Sequence, residues 1–247
     1  MKIDFNCDMG EGCGNDAALM PLISSANIAC GVHAGNKETM RRTIDLALEH
    51  GVAIGAHPGY PDRGGFGRTA VEMPPEEVFK IVSDQILELA AIAAACGTKL
   101  AHIKPHGALY NRSAADAETA SAIAKAVLEV DRDLVLFGLA GSLSISTAAE
   151  LGLTTAAEAF ADRTYQSNGM LTPRSSNDAL IRDAATASEQ ALDLIKYGRV
   201  RSTEGVMLKA EPTTICIHGD GASAVEFATR IHDDLTKAKI IIEAVNG

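Results

Sequence analysis

Seven short apolar runs, alternating from the second onward with longer helical patterns, set the first limit on what this chain can become. The runs are residues 2–7, 26–31, 52–57, 100–105, 134–139, 154–160 and 213–219. Each reads as a buried parallel strand, apolar nearly throughout rather than alternating. Helical patterns follow at 37–51, 74–97, 115–130, 142–152, 177–198 and 221–238. In the first of these, Met40, Ile44 and Leu48 recur on one face and Gly51 supplies a stop. The second opens on proline, with Glu76 and Glu77 in its first turn, where the positive end of the helix dipole favours acids. Parallel strands need such crossovers. The alternation therefore predicts an α/β chain organised as a single domain over 1–247, without linker or repeat.

Two architectures satisfy that pattern. A closed β/α barrel places functional side chains after many strands, all at one rim. An open doubly wound sheet gathers them at a switch point. The polar residues discriminate. Asn6, Asp8 and Glu11 follow the first run, His33 the second and His57 the third. Lys104 and His106 follow the fourth, Glu158, Asp162 and Arg163 the sixth, and His218 and Asp220 the last. The fifth run, ending FGLAG, carries only small residues. Five of the seven histidines fall within a few residues of a predicted strand end. This spread predicts the barrel. His50, in a helix's last turn, and His232, among charged residues, read as structural or solvated. His102 lies inside the fourth run with the parity of Lys104 and His106, and its simplest reading is a satisfied core histidine.

The segment IKPHGALYN, 103–111, shows how such a rim is built. Proline cannot donate to a ladder, so Pro105 ends the strand and restricts its neighbour. Lys104 and His106 then face the mouth together. A lysine there can hold an anion or stabilise charge developing on a carbonyl oxygen. Asp8, Glu11 and Asp220 suit general bases or the orientation of a histidine. An acid with two histidines also suits a divalent metal, which the spacing leaves open because no HxxxH or HExxH is present. Arg63 and Arg68, in the glycine-rich segment 60–69, and Arg174, in LTPR, suit a carboxylate or phosphate. No GxxxxGK[ST] and no GxSxG occur, so neither a P-loop nor a serine elbow is expected.

Composition removes other classes. Aromatics make up 4% with no tryptophan, and the formal net charge is −10. That leaves neither a stacking platform nor a basic patch for nucleic acid. No apolar run is long enough to span a membrane, and MKIDFNCDMGEG lacks the apolar core of a signal peptide. Five scattered cysteines without a CxxC read as reduced intracellular thiols. Cys7, Cys30 and Cys216 read as small buried hydrophobes rather than nucleophiles.

The segments NCDMGEG, ANIACGVHAGN, IGAHPGYPDRGGFGR, KPHGALYN, EAFADRTY, LTPR and ICIHGD resemble the LamB/YcsF family, from residue 2 to about residue 240. The resemblance implies a TIM-like β/α barrel of the glycoside hydrolase/deacetylase type, distorted and seven-stranded. It implies a cytoplasmic bacterial enzyme that opens the lactam of 5-oxoproline to L-glutamate. ATP would be used through partner subunits B and C of a 5-oxoprolinase, which fits the missing P-loop. The site is expected among Asp8, Glu11, His33, His57, Lys104, His106, His218 and Asp220. Asn6, Arg63, Arg68, Glu158, Arg163 and Arg174 are expected to bind substrate. Alternatives are a stand-alone metal-dependent amidohydrolase or deacetylase, and a subunit that binds a small acid without turning it over.

Overall fold

The structure is a computed structural model and describes residues 1–245. Seven parallel strands close on themselves: β1 (Lys2–Met9), β2 (Ser25–Ala29), β3 (Ala53–His57), β4 (His102–Ile103), β5 (Val135–Leu139), β6 (Thr155–Phe160) and β9 (Thr214–Ile217). Each pairs with the next, and β9 pairs back onto β1 through Asp4–Thr214 to Cys7–Ile217. A hairpin of β7 (Arg199–Arg201) and β8 (Met207–Lys209) stands apart, and β10 (Ile241–Ile242) extends the start of β1. The helices are α1 (Asp16–Leu19), α2 (Lys37–His50), α3 (Pro75–Ala95), α4 (Gly107–Ala115), α5 (Ala117–Val130), α6 (Leu143–Glu150), α7 (Ala184–Tyr197) and α8 (Ala224–Lys237). None is long and apolar enough to cross a membrane among the described residues.

Local chemistry fixes the helix starts. The Asn36, Asp116 and Asp183 side chains accept from the main-chain N–H groups of Thr39, Thr119 and Thr186, which tethers the first turns of α2, α5 and α7. These caps also explain two departures from the sequence reading. The chain is already helical at Gly107, and Asp116 ends that helix by starting the next. Residues 177–183 are not helical but belong to a strap paired through Arg163–Leu180 and Tyr165–Leu171, so α7 waits for its Asp183 cap.

Strand parity divides the barrel into two environments. Ile3, Phe5, Cys7 and Met9 point outward into the core shared with the helices. Asp4, Asn6 and Asp8 alternate with them and point inward, into a largely polar lumen that also holds the small apolar cluster of Val135, Phe137 and Ala156. His102 enters this lumen, stacking on Phe137 with ring centroids 4.3 Å apart and donating from Nε2 to Asn27 Oδ1 at 2.8 Å. Its space is supplied by Gly55, where a Cβ would lie 2.1 Å from that nitrogen.

Candidate active site

The lumen is a continuous hydrogen-bond column that rises to the C-terminal rim of the barrel. At its base Asp4 accepts from Ser24, Ser25 and Thr214. Thr214 accepts from Asn6 Nδ2 at 2.6 Å, and the same amide donates to Glu158 Oε1 at 2.9 Å. Above it Lys104, 2% exposed, reaches Asp8 Oδ1, Glu158 Oε1 and Cys216 Sγ, each at 2.9 Å, and Asn6 Oδ1 at 3.3 Å. Burial opposes its charge, but Asp8, Cys216 and Glu158 outweigh burial and hold the ammonium well above the ordinary lysine value. Burial likewise opposes the Asp8 charge, yet His57 and Lys104 hold that carboxyl well below the usual range. Lys104 is thus a cation whose donors are occupied by its own lumen, and Asn6 and Glu158 belong to the same network.

Three imidazoles lie beside Asp8. His57 ends β3, His106 follows Pro105, and His33 comes from the turn after β2. His57 Nε2 sits 2.9 Å from His106 Nδ1 and 3.4 Å from Asp8 Oδ2. His33 stacks on His106 with centroids 3.9 Å apart. Burial pushes His33 down to about 3 and holds His106 well below its ordinary value, with the neighbouring His57 ring adding to both. Glu11 Oε1 lies 3.6 Å from His33 Nε2 and 3.5 Å from His106 Nδ1, and burial with Asp8 and Asp220 nearby holds its carboxyl well above the usual range. Gly67 lets the chain pass over these rings at φ 65°; a Cβ there would meet His106 Cδ2 at 2.8 Å and His33 Cβ at 2.9 Å.

Across the mouth, His218 Nδ1 donates to Asp162 Oδ2 at 2.8 Å. Burial opposes the Asp162 charge, but His218 and Arg163 outweigh it and hold the carboxyl below the usual range. Between this pair and the lumen network lies a cavity of about 300 Å³, lined by Asp8, His57, Arg68, Lys104, His106, Tyr110, Phe160, Arg163, Arg174 and His218. The arginines differ in what they have left to give. Arg63 is tied to the Gly31 and Gly35 carbonyls, which holds the His33 turn, and it does not line the cavity. Arg68 pairs with Asp220. Arg163 donates to Thr172 O at 2.6 Å and Ala179 O at 3.2 Å, anchoring the strap, and burial next to Arg174 lowers it to about 10. Arg174 has no hydrogen-bond partner among the described residues, and burial with Arg68 nearby lowers its pKa from the ordinary value.

Four lining or supporting residues escaped the sequence reading as site members. Asn27 joins Asn6, Asp8 and His102. Cys216 touches Lys104, Asp162 orients His218, and Tyr110 brings a buried hydroxyl without a partner to the cavity wall. Parity was the available signal for Cys216, since Thr214, Cys216 and His218 alternate as Asp4, Asn6 and Asp8 do.

This architecture defines a class: a seven-stranded, closed β/α barrel with carboxylates and histidines converging at the rim. The fold is shared with the peptidoglycan deacetylase PdaC from Bacillus subtilis (TM-score 0.54, 12% identity, 99% of this chain and 87% of that one). The chain belongs to the LamB/YcsF family, whose model matches residues 3–247. It is 53% identical to the A subunit of 5-oxoprolinase from Shouchella clausii (strain KSM-K16), over 99% of this chain and 98% of that protein. It also superposes on the lactam utilization protein from Thermus thermophilus with a TM-score of 0.92, at 41% identity and covering 99% and 100% of the two chains.

Proposed function

We propose that this chain, as one catalytic domain, opens the lactam of 5-oxoproline to L-glutamate in the cytoplasm, as the A-type subunit of an ATP-dependent 5-oxoprolinase. Subunits B and C would supply the ATP-driven activation of the ring. The end-to-end likeness to a chain named as the A subunit of 5-oxoprolinase, and to one named a lactam utilization protein, supports the substrate class. The geometric observation that carries the reading is the His218–Asp162 pair facing a small cationic cavity.

The chemistry follows from what each group can do. Ring opening adds one water across the carbonyl carbon–nitrogen bond. The oxygen bonds to carbon, the carbon–nitrogen bond breaks, and one proton passes from water to the departing nitrogen. His218 has its Nδ1–H fixed on Asp162, so in the neutral ring Nε2 is free to take the proton from water and return it to nitrogen. Arg174, with its guanidinium unspent, is suited to the substrate carboxylate. Arg68 and Arg163 add positive potential for charge developing at the activated carbonyl. Lys104 fixes the field of the cavity floor rather than moving protons, because its ammonium is spent on Asp8, Glu158 and Cys216, and Asp8, ionised beside it, shares that role.

Reconstitution tests the proposal. Glutamate release from 5-oxoproline is measured for this chain alone and with candidate B and C chains, with and without ATP. Release that needs ATP and all three chains is expected. ATP-independent release by this chain alone would replace the shared-enzyme reading with a stand-alone amidohydrolase.

A further inference from the structure

His57 and His106 meet through the two nitrogens that have no proton to offer. His57 Nδ1 lies 2.7 Å from the main-chain oxygen of Lys104, and His106 Nε2 lies 2.8 Å from that of Phe66. Carbonyl oxygens only accept, so each of these nitrogens carries its ring's proton. In the neutral rings His57 Nε2 and His106 Nδ1 are then bare lone pairs, facing each other across 2.9 Å. Two lone pairs rest at that distance only with a positive charge to share.

The neighbours offer more acceptors. Glu11 Oε1 lies 3.5 Å from His106 Nδ1, and Asp8 Oδ2 lies 3.4 Å from His57 Nε2. Glu11 Oε1 and both ring nitrogens of His33 are buried without a hydrogen-bond partner. Lys104 directs its ammonium to Asp8, Glu158 and Cys216 instead. Buried polar groups are rarely left unpaired, and here several converge on one point without a donor.

We infer that Glu11, His57 and His106 bind one divalent transition-metal ion, with His33 as the fourth donor. One donor atom from each of the four residues lies within 4.8 Å of the others. Bonds of about 2.0–2.2 Å to such donors need the wider separations to contract and the 2.9 Å His57–His106 pair to open slightly. The rings of His57 and His106 meet at 86°, so their lone pairs can converge; His33 lies parallel to His106 at 4° and must tilt to join them. The two carbonyls that fix the tautomers are the outer-shell acceptors that metal-bound histidines use. An imidazole-rich set selects ions such as Zn²⁺ and Co²⁺ over Mg²⁺ and Ca²⁺, which prefer oxygen ligands. His57 and His106 also line the cavity, so the ion would border the proposed substrate space.

The test reads binding, not turnover, so it stands or falls separately from the lactam reading. The untagged full chain is stripped with chelator, dialysed and titrated with Co²⁺. Uptake of about one ion per chain is expected, with the visible d–d bands of a four-coordinate site that Zn²⁺ then abolishes. His57→Asn, His106→Gln and Glu11→Gln should each weaken uptake by at least about 10–100-fold, and His232→Asn, half-buried on α8 away from the site, should not. A folded wild-type chain that takes up no ion at micromolar concentration, or a site indifferent to His57→Asn, would overturn the inference. Should the variants fail to fold, long-range ¹H–¹⁵N spectra of the unmutated chain decide. Zn²⁺ should shift His57 Nε2 and His106 Nδ1 while their partner nitrogens keep their protons. A proton shared between the rings that Zn²⁺ leaves in place would contradict the site.

Discussion

Lys104→Met removes the ammonium that joins two buried carboxylates while nearly keeping the volume of the side chain. The nitrogen lies 2.9 Å from both Asp8 Oδ1 and Glu158 Oε1, and the residue is 2% exposed. Removing one partner of such a buried pair costs about 3–5 kcal/mol. Asp8 keeps Asn27 and His57, and Glu158 keeps Asn6, so the loss should stay within that range rather than double. For a chain of this size it lowers the melting midpoint by roughly 6–20 °C.

The pH dependence carries the sharper signature. In the wild type the Asp8 carboxyl is held well below the usual range, so its contribution is present above its unfolded value of about 3.9 and is lost as pH falls through the low folded value. In Lys104→Met, burial dominates and at least one carboxyl rises above its unfolded value. Its ionisation then costs up to about 1.36 kcal/mol per pH unit between the unfolded and folded values. The variant's deficit should therefore be largest near neutrality and shrink towards about pH 4. Urea unfolding followed by far-ultraviolet circular dichroism, at a series of pH values, measures it. Adding Glu158→Gln to Lys104→Met should recover about 0.5–3 kcal/mol at neutral pH. A deficit under about 1 kcal/mol, the scale of an exposed ion pair, or one that does not vary with pH, would refute the argument.

Three further predictions are independent of that network. Arg174→Ala should raise the KM for the reconstituted reaction by about 10–100-fold, the equivalent of about 1.5–3 kcal/mol for a hydrogen bond to a charged group, and an unchanged KM would remove Arg174 from substrate binding. Gly55→Ala forces a methyl against His102 and should destabilise the fold by about 1–3 kcal/mol in thermal melts; an unaltered midpoint would mean the ring can leave the lumen freely. A thiol reagent should label exposed Cys13 before Cys7, Cys30 or Cys216, faster as pH rises because burial pushes the Cys13 thiol up to about 11. Mass-spectrometric mapping that found Cys216 labelled first in the folded chain would contradict its place beside Lys104.

The barrel was legible because parallel strands buried on both faces leave short apolar runs, and all seven appear near their expected positions. The rim was legible because histidines and acids recur where those runs end. The elements that escaped are those whose form depends on distant partners. Residues 177–183 have a helix-like composition, but Arg163 and Thr164 hold them in the strap. The hairpin of β7 and β8 is short and largely exposed, with little apolar pattern to announce it. The lumen was harder still. The alternation of Asp4, Asn6 and Asp8 marks an inner face, but only closure of the sheet brings Glu158, Lys104 and Cys216 against it. Nothing local to Arg63, Arg163 or Arg174 reveals that two are spent on carbonyls and the third is not.

Everything proposed for the reaction turns on proton transfer at His218 during ring opening. His218→Asn, assembled with unaltered candidate B and C chains, tests it most directly, with glutamate formation and ATP hydrolysis followed in the same mixture. The expected result is a loss of glutamate formation of about 10²–10⁴-fold, the range for a general acid–base, while the assembly still forms and ATP is still consumed. Glutamate formation at the wild-type rate would contradict it.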